Sequence, residues 1–430
     1  MCGIFAIYML KHQFDVKDII KYLRLLQHRG KDSFGISYNQ INTNKITSLK
    51  FHGNVKDINI SDKSDIILGH VRYTTSGFNN DFNEIQPIEK NNVSLAHNGN
   101  IPNISTHDTK YMINYLTKND NLIENIISFI NDVPASFSVC LLNNEKLYVF
   151  RDRYGIRPLS LCYNENCIMI SSESVALQQD YNLREIKPGE LIEISKLGIK
   201  TLYQHTDINN CICAFELIYF MNPESEVNNI KVKKYRENLG IKLAKKDLHF
   251  KNSEAIVVGV PNSGIEYAIA YAKLLKLEYR QVIKKNAFGR TFILKNDEER
   301  NKACIEKFMY NKEIIENKEI IILDDTIVRG TVIKNIIRNL KNMGAKSIHI
   351  RIPSPPVVDI CQLGINIRTK EELLMNNTCV REVVNKLKIE SLNFLNLSDL
   401  DIFPSNFYGE CFGKPIPNEI LNFVPNEIYV

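Results

Sequence analysis

The sequence predicts two domains in series, the second of them an α/β domain built on a parallel sheet. Three observations lead there. At 430 residues the chain is too long for one ordinary hydrophobic core. Residues 320–323 (IIIL) form an all-apolar β-forming run that stops at two adjacent acids, Asp324 and Asp325. Such a run reads as a strand buried on both faces, not as an alternating surface strand. Strand and helix patterns also alternate in this half. Residues 255–275 (AIVVGVPNSGIEYAIAYAKLL) read as strand, a turn containing Pro and Gly, then an amphipathic helix. Another helix and strand follow over residues 334–352. Alternation of this kind builds a parallel sheet with its ligand loops at the strand C-terminal ends.

Composition narrows the class. The chain is 44% hydrophobic and 24% charged, ordinary for a soluble globular protein. A net charge of +5 is mild for this length and implies no nucleic-acid partner. Ten cysteines are scattered without a paired framework, so a reducing compartment with catalytic or metal-binding thiols is expected. There is no signal-peptide pattern and no apolar run long enough to span a bilayer. The working class is a cytoplasmic enzyme.

The first half opens Met1-Cys2-Gly3-Ile4-Phe5. If Met1 is removed, Cys2 carries a free α-amine of near-neutral pKa, which can take the thiol proton through a water. One residue then supplies both nucleophile and base. Residues 26–35 (LQHRGKDSFG), 69–77 (GHVRYTTSG) and 95–100 (LAHNGN) each end a β-like run with polar residues. With RDRYGIRPL (151–159), SSES (171–174) and LREIKPGE (183–190), they resemble the N-terminal-nucleophile glutaminases, the class II glutamine amidotransferases. That resemblance implies an α+β sandwich of stacked antiparallel sheets between helices. It implies that Asn98 and the Gly99 N–H form an oxyanion hole, and that Arg72 clamps the glutamine α-carboxylate. Arg29 and Gly30 would line the nucleophile, and Asp108 would hold the α-amino group. His97 reads as structural, and Arg153 and Arg157 as structural or interdomain. Only nine residues separate Asn98 from Asp108, where the family usually has a helix, which implies a more open glutamine pocket.

Strand pattern lapses over residues 203–210, and a new string begins, CICAFELIYFMNPESEV. The boundary is expected there, with domains at 2–205 and 206–430. A helical stretch follows at 233–246. The loop after residue 260 resembles the pyrophosphate loop of type I phosphoribosyltransferases, which implies an Mg²⁺-associated role for Ser263. Asn262 and Gly264 depart from the usual Asp and Ser. At 320–331, IIILDDTIVRGT, a helix begins just after an acid pair. Its first N–H groups and dipole favour a phosphate, Gly330 admits a close backbone approach, and the carboxylates suit a ribose diol or Mg²⁺. The string resembles the loop that binds 5-phosphoribosyl 1-pyrophosphate (PRPP) in type I phosphoribosyltransferases. The resemblance assigns Asp324, Asp325, Thr326, Arg329, Gly330 and Thr331 to PRPP, and Ser263, Asp324 and Asp325 to Mg²⁺. Lys284 and Arg290 would belong to a closing lid, in which Asn286, Ala287 and Ile305 replace the usual residues.

Glutaminase and PRPP loop on one chain resemble the amidophosphoribosyltransferase family. The implied reaction is glutamine-dependent conversion of PRPP to 5-phosphoribosylamine, the first step of purine synthesis. A homo-oligomer, purine nucleotide inhibitors and no membrane partner are the matching expectations. One branch of the family carries a [4Fe–4S] cluster. Cys213, Cys361 and Cys411 match three of its ligands, and Tyr408 stands at the fourth. Other class II amidotransferases lack the DDTIVRGT loop. The alternatives kept open are an ammonia-dependent transferase with a degraded glutaminase site and a regulatory paralogue.

Overall fold

The computed structural model describes the chain except residues 42, 44, 75–80, 105–106, 179–180, 208–209, 286–307, 368, 401–405 and 430. The first half is a stack of two antiparallel sheets. The strand Gly3–Met9 lies inside a seven-stranded sheet, between Cys167–Ser171 and Ile66–Arg72. The strand Val93–Asn100 pairs with Ile88–Lys90 and Ser136–Asn143 in a six-stranded sheet. Alternation within each strand divides the side chains between two cores. From Gly3–Met9, Ile4, Ala6 and Tyr8 face the second sheet and meet Ala96, Cys140 and Val149, whereas Phe5 and Ile7 face the helix Ile19–Leu25. The outer face of the six-stranded sheet is covered by the helices Asp108–Leu116 and Leu122–Asp132. Helix, sheet, sheet and helix layers result, and Cys2 enters the first sheet at its edge of Gly3.

The second half holds a five-stranded, all-parallel sheet. Its order is Glu278–Tyr279, Ile256–Gly259, Glu319–Leu323, Ser347–Ile352, Ser391–Phe394. The IIIL run is the central strand, and Ile320, Ile321, Ile322 and Leu323 are each 0% exposed. Two-sided burial explains the lack of alternation. The helices Val232–Lys246, Ile265–Leu275 and Thr331–Asn342 lie near their expected bounds. Ile265–Leu275 packs on one face of the sheet with Leu323 and Ile321; Thr331–Asn342 packs on the other with Ile320 and Ile322. Among the described residues no helix is long and apolar enough to cross a membrane.

Candidate active sites

Two clusters of polar side chains stand apart from these cores. In the first, the Cys2 backbone N–H donates to Asn98 Oδ1 at 3.1 Å, tying the start of one sheet to the end of a strand in the other. Asn98 Nδ2 is buried and, among the described residues, finds no acceptor, so a donor is left unsatisfied there. At Gly99 a Cβ would run into the Ser136 carbonyl, and so a side chain is excluded there. Arg72 ends the strand Ile66–Arg72, 3% exposed, with one guanidinium nitrogen 2.8 Å from Glu84. Asp108 begins its helix, 6% exposed, with Oδ2 4.0 Å from His97 Nδ1. Cys2, Arg72, Tyr73, Gln86, His97, Gly99, His107 and Asp108 line one small cavity. The short link therefore still brings Asp108 to the cavity that Cys2 lines. Burial lowers the His97 pKa, with Asp108 opposing, so the imidazole is neutral and fits a structural role.

Arg29 lies against Cys2 and is not among the described residues that line the cavity. Its Nε donates to the Cys2 carbonyl at 2.7 Å. Its other nitrogens pair with Glu173 at 2.6 Å and Glu216 at 2.8 Å, all three side chains being fully buried. Burial alone would push the Glu173 carboxyl up, but His28 and Arg29 hold it far below the usual carboxylate range. Arg157 reaches the same Glu216 at 3.4 Å, as an interdomain residue should. Glu173 and Glu216 were missed as site residues. The available signal was an acid inside the apolar string FELIYF, because a buried carboxylate requires a paired cation.

The second cluster is the turn after the central parallel strand. Asp324 and Asp325 are 7% and 4% exposed. Ser263 Oγ donates to Asp324 Oδ1 at 3.2 Å, and Thr326 Oγ1 donates to Asp325 Oδ2 at 2.7 Å. Gly330 sits at φ 76°, the left-handed region, and hands the chain to the helix Thr331–Asn342. Among the described residues, the backbone N–H groups of residues 326–331 find no acceptor, which leaves an anion cradle at a helix N-terminus. Gly264 is explained by space, since a Cβ there would strike the Leu323 carbonyl and come within 2.8 Å of Val260 N. Burial and the like charge of Asp325 raise the Asp324 pKa well above normal. A divalent cation would relieve that repulsion. The described residues hold no group of three or more acidic, His or Cys ligands. Two carboxylates and a hydroxyl still fit Mg²⁺, which keeps waters and takes its other ligands from substrate phosphates. Arg329 is turned aside to Glu372 and the Asn366 carbonyl. Lys284 is exposed on the strand Ile283–Lys285, whose first residue is buried, and Arg290 falls outside the described residues.

A turn of π-helix, Glu216–Phe220, spans the space between the clusters. Glu216 anchors it to Arg29. Tyr219 at its other end has its phenol pushed up by burial, with Asp325, Asp324 and Tyr73 adding to the shift. The Tyr73 carbonyl is in turn 3.7 Å from Cys2 Sγ.

Comparison with known proteins separates the same two halves. Residues 72–179 match the glutamine amidotransferase domain model, and residues 228–353 match the phosphoribosyl transferase domain model. Amidophosphoribosyltransferase of Methanothermobacter thermautotrophicus is 32% identical, the alignment covering 93% of this chain and 90% of the relative. The chain belongs to the amidophosphoribosyltransferase family. The Bacillus subtilis amidophosphoribosyltransferase is 30% identical over 93% of this chain. The solved structure of glutamine PRPP amidotransferase from B. subtilis, complexed with ADP and GMP, superposes with a TM-score of 0.81. That match covers 93% of this chain and 92% of the other, so the stacked antiparallel sheets and the parallel-sheet domain are those of the amidophosphoribosyltransferase fold.

The cysteines of this amidophosphoribosyltransferase chain form a third cluster. Cys213 and Cys411 are buried in one core, with Cys361 packed against it. Burial pushes the Cys361 thiol up to about 12, with Cys213 adding. Cys213 lies opposite Tyr408 in a two-stranded parallel pair, and the Tyr408 hydroxyl donates to Glu410. Cys361 and Cys213 add to the rise that burial gives the Cys411 thiol, so the three thiols lie near one another, yet they form no metal-holding group among the described residues.

Proposed function

We propose that this chain is a working amidophosphoribosyltransferase, dividing near residues 205 and 206 into a glutaminase and a transferase. It takes glutamine, PRPP and water to glutamate, 5-phosphoribosylamine and pyrophosphate. With Met1 removed, the Cys2 nitrogen is an amine at the place where it now meets Asn98. That amine accepts the thiol proton through a water, and Sγ attacks the glutamine amide carbon. Asn98 Nδ2 and the Gly99 N–H receive the oxyanion, Arg72 the α-carboxylate and Asp108 the α-amino group. Ammonia leaves, and water hydrolyses the thioester. Ammonia then reaches the turn at residues 324–331 past Tyr219 and displaces pyrophosphate from C1 of PRPP. The transition state there resembles an oxocarbenium ion, so positioning dominates. The free N–H groups of residues 326–331 cradle the 5-phosphate, and Asp325 meets the ribose hydroxyls. Mg²⁺ held by Asp324, Asp325 and Ser263 would neutralise the departing pyrophosphate.

The observation that carries this reading is Asn98, which accepts from the Cys2 N–H, keeps Nδ2 unpartnered among the described residues and stands between His97 and Gly99 in the lining of the cavity shared by Cys2, Arg72 and Asp108. An electrophilic glutamine analogue tests it. Peptide mapping should find the adduct on Cys2 alone, with glutamine-dependent turnover lost and ammonia-dependent turnover kept. An adduct spread over other cysteines contradicts the assignment.

A four-thiolate cluster does not fit the residues present. We read the three-cysteine pocket as protein-filled, Tyr408 and Glu410 closing it. Anaerobically purified protein should contain less than about 0.1 iron and sulfide per chain, far from the four of a [4Fe–4S] cluster. All nine described cysteines are free, which supports a cytoplasmic location. The ADP and GMP in the B. subtilis structure support purine nucleotides as regulators of this chain.

A further inference from the structure

The last residues reach across to the glutaminase half, with Ile420 buried in the core that both halves share. From the short helix Asn418–Leu421 onward the chain crosses to the glutaminase half. Glu419 pairs with Arg153 at 2.8 Å and accepts from the Tyr154 hydroxyl. Asn103 Nδ2 donates to the Phe423 carbonyl at 2.8 Å. The Asn426 N–H donates to the Tyr111 hydroxyl at 3.3 Å, and Asn114 Nδ2 donates to the Tyr429 carbonyl at 3.1 Å. The Tyr429 ring packs against Tyr115 at 5.0 Å and edge-on to Tyr111 at 6.0 Å. Val424 and Ile428 stay 83% and 82% exposed. The tail is thus anchored by the buried Ile420 and, beyond it, by specific polar contacts and the rings of Phe423 and Tyr429.

These anchors converge on one element. Tyr111, Asn114 and Tyr115 all lie on the helix Asp108–Leu116, whose first residue is Asp108, and Asn103 lies in the segment leading into it. That helix has nine residues and no side-chain cap at its N-terminus. A helix so short takes its position from packing, not from its own hydrogen bonds. The free face of Tyr111 and Tyr115 is the one the tail covers.

We propose that residues 417–429 are a strap that positions Asp108 for glutamine, so that the C-terminus of the transferase domain completes the glutaminase site. The strap rests on the functional reading above. Tyr429 is a positioning residue; it touches no reacting atom and acts through the helix.

The test compares the full chain, a chain ending after Asn422, which keeps the buried Ile420, Tyr429→Ala and Tyr429→Phe. For each, KM and kcat for glutamine are measured beside ammonia-dependent pyrophosphate release. Tyr429→Ala should raise the glutamine KM by up to about tenfold, the scale of losing an aromatic contact, and truncation, which also removes the backbone hydrogen bonds, by at least as much. Ammonia-dependent release should stay within about twofold, since the transferase site is untouched. Tyr429→Phe, which keeps the ring and the backbone carbonyl, should behave as the full chain. An unchanged KM in both altered chains overturns the strap, and so does an equal loss of both activities. If the full chain itself uses ammonia but not glutamine, the functional reading fails and the strap with it. If the full chain uses both and truncation changes neither, the strap alone fails.

Discussion

Replacing Cys2 by Ala lowers glutamine-dependent pyrophosphate release by a factor on the order of 10⁴, the scale of losing a catalytic nucleophile. Ammonia-dependent release by the same variant stays within about twofold. The asymmetry follows from the geometry. Cys2 Sγ is the only sulfur among the residues lining the cavity with Asn98's neighbour Gly99, Arg72 and Asp108. Its substitution removes the atom that attacks the amide and leaves the backbone contacts intact, because Asn98 and Arg29 hold the Cys2 N–H and carbonyl, not its side chain. The buried Arg29–Glu173–Glu216 network therefore survives, and with it the seating of the π-helical turn beside the transferase loop. Rates with each nitrogen source, measured at saturating PRPP and Mg²⁺, check the prediction. An equal loss of both would mean that the two sites are not separate.

Asp325→Asn shows the opposite pattern. Both nitrogen sources should lose about 10²-fold, the scale of removing one preorganised electrostatic contact at a reacting centre. Asp325 accepts from Thr326 Oγ1 and stands beside Asp324, so it serves PRPP, which both routes require. The substituted amide keeps the shape and loses the charge that a ribose diol and a cation would use. Titration of the rate against PRPP should place the loss in PRPP use, with the glutamine KM unchanged. A variant impaired only with glutamine would remove Asp325 from the transferase site.

Legibility in the sequence followed physical locality. The central strand was legible because two-sided burial writes an unbroken apolar run, and its loop because the acid pair, Gly330 and the helix start are contiguous. Strand–turn–helix over residues 255–275 was legible for the same reason. The stacked sheets of the first half were legible only through their motifs. Strand Gly3–Met9 pairs with residues 66–72 and 167–171, and nothing local states that order. Side-chain direction was also hidden. Arg29 belongs to the quoted HRG string, yet its partner Glu216 lies 187 residues away, and nothing local states the pairing that holds it against Cys2. Arg329 sits inside the PRPP string, but Glu372 draws it outward. The tail carried no signal, because its polar, aperiodic residues become meaningful only against Tyr111 and Tyr115.

Both substitutions presuppose that one chain makes ammonia and spends it. The direct measurement is glutamine-dependent against ammonia-dependent pyrophosphate release by the unaltered chain, with glutamate counted in parallel. The account predicts release with either source and, with glutamine, one glutamate for each pyrophosphate. Release with ammonia and none with glutamine would contradict it.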